Sequence, residues 1–188
     1  MRSLARRNPS GPCVAAARSA WLALLLLVAG CAQLPPRPEM PPQMAVPVST
    51  GTELDRLIAA AEERRPGESA FRLVSDGPEG FAIRAHTARI AGRSVDVQTY
   101  IWNGDATGRA LAYVLLGAVD LGVKVGLLVD GLAARAKNDG MSALDAHPNI
   151  DVRMFNPLPS RSGTMAFIGD FLGDASRLNR RMHNKTWI

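Results

Sequence analysis

The 188-residue sequence carries 22 Lys and Arg against 17 Asp and Glu, a formal net charge of +5. Arg2, Arg6, Arg7 and Arg18 all precede Cys31 and no acidic residue does, so the chain from Cys31 onward has 18 basic residues against 17 acidic ones. That near-neutral balance removes bulk electrostatic attraction to nucleic acid as a basis for function.

The basic stretch ending at Arg18 is followed by the apolar run Ala20 to Ala29, about half of the ~20 residues a membrane-spanning helix needs. It reads as the core of a secretory leader over residues 1–30. Val28-Ala29-Gly30-Cys31 resembles the lipobox of bacterial lipoproteins, which implies that Cys31 is lipidated and becomes the mature N-terminus. Several acyl chains, at ~0.8 kcal/mol per buried methylene, anchor durably. The expected location is the periplasmic side of the cell envelope, with Ala32 after the cysteine favouring the outer membrane. Cys13 lies in the leader, so no intramolecular disulfide survives processing. Prolines at 35, 36, 38, 41, 42 and 47 make residues 31–50 an extended tether, because proline fixes φ and donates no hydrogen bond.

Residues 51–188 remain for a folded unit of about 140 residues, enough for one hydrophobic core. Thr52 caps a predicted helix to about Arg65 with Leu54, Leu57, Ile58 and Ala61 as its apolar stripe, stopped by Pro66-Gly67. Phe71 to Ser75 is a short strand candidate. Asp76-Gly77-Pro78 opens a helix to about Ala91. Ser94 to Trp102 alternates, with Val95, Val97, Thr99 and Ile101 on one face and Asp96, Gln98, Tyr100 and Trp102 on the other. Asn103-Gly104-Asp105 starts a helix that Gly122 closes. Val123 to Val129 is nearly continuous in apolar residues, as an interior parallel strand requires, and Asp130-Gly131 breaks it. A short helix around Met141 to Ala146 leads to a strand from Ile150 to Phe155, and Ser160 to Gly173 reads as loop. Strands alternating with helices predict an α/β fold with a mostly parallel sheet flanked by helices.

The terminal segment Asn179-Arg180-Arg181-Met182-His183-Asn184-Lys185-Thr186-Trp187-Ile188 carries the chemistry. On an extended chain residues i and i+2 face the same way, so His183 and Lys185 can converge on one group. A neutral imidazole can attack phosphorus while an ammonium neutralises the non-bridging oxygens, and no metal or cofactor is needed. Arg177, Arg180 and Arg181 could add headgroup contacts. Gln98 and Tyr100 on the polar strand face either line the pocket or serve packing and solvation. Asp130 ends a strand where ligands collect, but Asp is also a common strand terminator. His86 and His147 are read as structural.

This decapeptide resembles the first half of the His-x-Lys-x4-Asp motif of the phospholipase D superfamily, and is similar in particular to the lipoprotein-type (type C) cardiolipin synthases. Further matches are Phe71 to Pro78, Gln98 to Trp102, Asp105 to Arg109, Val123 to Asp130, His147 to Ile150 and Phe155-Asn156-Pro157, so the resemblance covers roughly residues 70 to 188. The sequence departs from the pattern at Gly131, where a second acid is usual. The resemblance implies a phosphatidyltransferase making cardiolipin through a phosphohistidine, with His183 as nucleophile or general acid/base and Lys185 as phosphate ligand. Its partners would be phosphatidylglycerol and phosphatidylethanolamine. A phospholipase D-type hydrolase, a nuclease of the same superfamily and a catalytically inactive lipoprotein fragment are the alternatives. The motif's Asp would stand at position 190, and a second His-Lys-Asp copy would follow. The expectation is therefore that residues 51–188 form the incomplete first half of a phospholipase D-like domain, truncated within its first motif, in an N-terminal fragment of a longer enzyme.

Overall fold

The computed structural model describes residues 19–21, 36, 39, 40, 42, 44, 46, 47, 50–135, 138–160 and 163–188. Most of the expected leader, Cys31 with its expected lipidation, and much of the expected tether lie outside the described residues. Among those described, no helix is long and apolar enough to cross a membrane.

Helix α1 spans Glu53–Arg64. Its start is fixed reciprocally: the Asp55 amide donates to the Thr52 hydroxyl at 3.1 Å and the Thr52 amide to the Asp55 carboxylate at 3.0 Å. The expected apolar stripe is present but not buried, since Leu57 and Ile58 face solvent and Leu54 is only half-covered. Helix α2 spans Gly77–Ile90 under an Asp76 cap with Pro78 in the first turn. The segment Phe71 to Ser75 between them is not a strand, contrary to expectation; Phe71 is 95% and Leu73 92% exposed. A strand persists only when its backbone groups find a partner, and among the described residues this segment has none.

The sheet contains β1 (Ser94–Thr99), β2 (Lys124–Asp130), β3 (Ile150–Phe155) and β4 (Thr186–Trp187) in the order β3-β2-β1-β4. β1, β2 and β3 are mutually parallel neighbours, whereas β4 runs antiparallel to β1. Helix α3 (Ala106–Asp120) links β1 to β2, and α4 (Asn138–Asp145) links β2 to β3. This is the mixed α/β architecture the alternation of elements calls for. Val95, Val97, Val125, Leu127 and Val129 of the sheet pack with Ala88 of α2, with Leu115, Ala118 and Val119 of α3 and with Met141 of α4. Burying a side chain such as Leu115 removes enough apolar surface from water to contribute ~1.5–3 kcal/mol.

Two expectations fail at element ends. The alternation of β1 stops at Thr99, whose hydroxyl donates to the Ile101 carbonyl at 2.9 Å. The chain turns there, so Trp102 packs against the core and Ile101 is exposed, the reverse of the faces the strand pattern assigns. Most of the Ser160 to Gly173 region is helical, as α5 (Thr164–Leu178), with non-helical backbone at Asp174. The region reads as loop in sequence, but Met165, Ile168 and Leu172 stand at helical spacing and lie on one side of it.

Candidate functional site

The topology brings the chemistry to one place. β3 ends at the carboxyl edge of the parallel strands, and β4, running antiparallel, begins at that same edge. The whole segment from Asn156 to Lys185 therefore crosses the end of the sheet where ligands of open α/β folds collect. Tyr100 follows β1, Asp130 ends β2 and Asn156 follows β3.

Asp130 holds the terminal segment in place. Its side chain is fully buried; one carboxylate oxygen accepts from the Met182 amide at 3.0 Å, and the other from the Arg181 guanidinium at 3.0 Å and the Leu132 amide at 2.9 Å. Arg181, expected to contact a headgroup, is thus committed to a buried pair. The buried carboxylate thereby has the partner charge it needs. Asn156, in the left-handed region at φ 45°, donates to the Arg177 carbonyl at 2.7 Å and the Arg180 carbonyl at 2.9 Å. The Arg177 guanidinium answers by donating to Asn156 Oδ1 at 2.8 Å and the Pro157 carbonyl at 2.9 Å, so it too is turned inward. This close approach explains Gly131: a Cβ there would stand 2.5 Å from Pro157 Cα and 2.8 Å from the Asn156 carbonyl.

Beyond this latch, Met182 is buried and His183, Asn184 and Lys185 emerge into solvent. The segment is extended and joins the ladder from Thr186 onward, with Thr186 and Trp187 opposite Gln98 and Val97 and Ile188 exchanging backbone hydrogen bonds with Asp96. Lys185 Nζ donates to the His183 carbonyl at 2.9 Å and lies 3.3 Å from His183 Nδ1. The imidazole sits 4.6 Å from the Tyr100 ring, centroid to centroid, and Lys185 Nζ is 5.7 Å from that ring. Asn184 donates to Gln98 Oε1 at 3.3 Å. A cleft of about 300 Å³ beside Lys185 is lined by Gln98, Tyr100, Trp102 and Trp187 among others.

His183, Lys185, Gln98 and Tyr100 are therefore brought together. Arg180 keeps an exposed side chain nearby in the chain, and Arg177 and Arg181 are not available to the cluster. His86 lies on the surface of α2, and His147 Nδ1 accepts from the Asn149 amide at 3.2 Å in the turn before β3. Sequence reasoning missed the anchoring parts of Asp130 and Asn156, although an acid closing an interior strand and an Asn-Pro closing its neighbour were both visible. It also missed Asn184, which reaches Gln98 only through the β1–β4 pairing.

Such a cluster can present an imidazole and an ammonium to one phosphate. Among the described residues, no three His, Cys, Asp or Glu side chains converge as metal ligands would.

No family model matches the sequence. Cardiolipin synthase C of Escherichia coli is 41% identical over 125 residues, which are 66% of this chain and 26% of that protein. An uncharacterized protein of Helicobacter pylori is 34% identical over 137 residues, 73% of this chain and 27% of its own length. The chain thus spans about a quarter of the relatives it matches. Among solved structures, NucT from Helicobacter pylori aligns with a TM-score of 0.39 and 22% identity over 46% of this chain and 53% of its own. The 41% identity to cardiolipin synthase C supports a relationship of this chain to the phospholipase D superfamily.

Proposed function

We propose that the protein carrying this chain is a phosphatidyltransferase that makes cardiolipin from membrane phospholipids, with His183 as nucleophile and Lys185 as phosphate ligand. The observation that carries the reading is the pairing of His183 Nδ1 with Lys185 Nζ at 3.3 Å, on a solvent-facing segment that Asp130 anchors at the carboxyl edge of the sheet.

In the resting arrangement the ammonium donates to Nδ1, which leaves the imidazole proton on Nε2. An arriving phosphodiester gives Lys185 a stronger, charged acceptor, and its departure lets the proton move to Nδ1 so that the Nε2 lone pair is free to attack. The P–Nε2 bond forms as the bond from phosphorus to the headgroup alcohol breaks. The leaving oxygen takes a proton from a general acid, which the superfamily resemblance assigns to a second motif. The hydroxyl of a phosphatidylglycerol then attacks phosphorus, gives up its proton to that same group and displaces His183, yielding cardiolipin. Water in its place would give hydrolysis. Lys185 holds the oxygens whose charge must be borne in both displacements. Cys31, if lipidated, would hold the catalyst at a surface containing both substrates and raise their effective concentration.

The test uses the full product of the coding sequence, incubated with phosphatidylglycerol vesicles alone or with added phosphatidylethanolamine. Cardiolipin should form, an acid-labile phosphatidyl adduct should be trapped on the protein, and His183→Ala should lower turnover by roughly a thousandfold or more. DNA cleavage with phospholipid left untouched would overturn the reading. For the anchor, Cys31→Ser should abolish incorporation of labelled fatty acid, and retained label would refute lipidation there.

A further inference from the structure

Helix α5 is fastened at both ends by polar contacts. Near its start the Arg135 guanidinium donates to the Gly163 carbonyl and lies 5.0 Å from the Phe167 ring, while the Ser160 amide donates to Asp170 at 3.0 Å. At its end Asn156 accepts the Arg177 guanidinium and donates to the Arg177 carbonyl. Of α5 only Leu178, its last residue, is buried. What lies along the helix is a groove of about 660 Å³, walled by Leu132, Phe167, Phe171, Ala175 and Leu178 and closed at one side by Arg181.

We infer that this groove receives a fatty acyl chain of the phospholipid whose phosphate is held at His183 and Lys185; the inference rests on the phosphatidyl-transfer reading. Three observations favour this occupant. The volume falls within the ~300–1,000 Å³ of small-molecule sites. Most of the wall is apolar, Ser176 and Asn179 add only uncharged polar groups, and the one charged group, Arg181, is already neutralised by Asp130 at 3.0 Å, so the groove suits a chain with no charge of its own. Open apolar walls of this kind are stabilised by any fitting apolar occupant, at ~25 cal/mol for each Å² removed from water.

The third observation is position. Arg181 at the groove's side is two residues from His183, a separation of about 7 Å on an extended chain at ~3.3 Å per residue. The glycerol and ester linkage between the phosphate and acyl chain of a phosphatidyl group spans a comparable length.

Ala175→Trp fills the groove without adding charge. The full-length protein and this variant are assayed with phosphatidylglycerol bearing dioleoyl or dihexanoyl chains, both presented in the same detergent. The ratio of kcat/KM for the long-chain over the short-chain substrate should fall about tenfold or more in the variant, the scale on which apolar pockets discriminate. Equal losses with both substrates, or an unchanged ratio, would overturn the inference. Equilibrium binding of phosphatidylglycerol with a fluorescent parinaroyl chain is measured alongside, together with the thermal midpoint of each protein. Wild type that binds the probe, and a folded variant that binds it at least about tenfold more weakly, would uphold the groove even if neither substrate were turned over and the transfer reading had failed. Equal probe binding by the two proteins would sink the groove whatever the turnover.

Discussion

Helices α3 and α5 are each 15 residues long and both are rich in apolar side chains, yet α3 buries Leu115, Ala118 and Val119 while α5 buries Leu178 alone. The difference lies in what each helix connects. α3 joins two adjacent parallel strands, so its path must cross from the carboxyl edge of the sheet back to the amino edge and lie along a sheet face. α5 joins β3 to an antiparallel β4, and both of its ends belong to the same edge. It has no sheet face to cover. Its apolar side chains are left largely exposed at the sheet edge rather than packed into the core.

This comparison can be tested at its joint first. Asp130→Ala strips the buried partner from Arg181 and the acceptor from the Met182 amide, and should cost about 3–5 kcal/mol in urea unfolding. Hydrogen exchange at the Met182 amide should rise at the same time; protection retained there would show that something other than Asp130 holds the terminal segment to the sheet. The helices themselves come next. Leu115→Ala should destabilise by about 2–5 kcal/mol through the cavity it leaves, whereas Leu172→Ala, at a side chain 80% exposed, should change stability by less than about 0.5 kcal/mol. Comparable losses at the two positions would mean that α5 is packed as α3 is.

Much of the fold was legible because its signals are short-range. Thr52, Asp76 and Asp105 cap helices that begin at the next residue, and the apolar run of β2 marks an interior strand between β1 and β3. In the α5 region, read as loop, Gly163, Gly169 and Gly173 weaken the helical signal that the i, i+3, i+7 spacing of Met165, Ile168 and Leu172 carries. Phe71 to Ser75 misled in the opposite sense: its composition suits a strand, but the edge of β1 is occupied by β4.

At the candidate site the same division holds. The two-residue spacing of His183 and Lys185 by itself determined that imidazole and ammonium could meet, because alternation is a local property of an extended chain. The sequence likewise determined the helix starts and the central strand, since caps and apolar runs act over a few residues. Only the tertiary structure decided that Arg181 pairs with Asp130 and that Tyr100 stands against His183. It also decided that Gly131 makes room for the Asn156–Pro157 turn. Asp130 and Met182 are 52 positions apart, and no local propensity reports which buried acid will meet which distant amide. That pairing follows from the strand order, which places the ends of β1, β2 and β3 along one edge and leads the terminal segment across it.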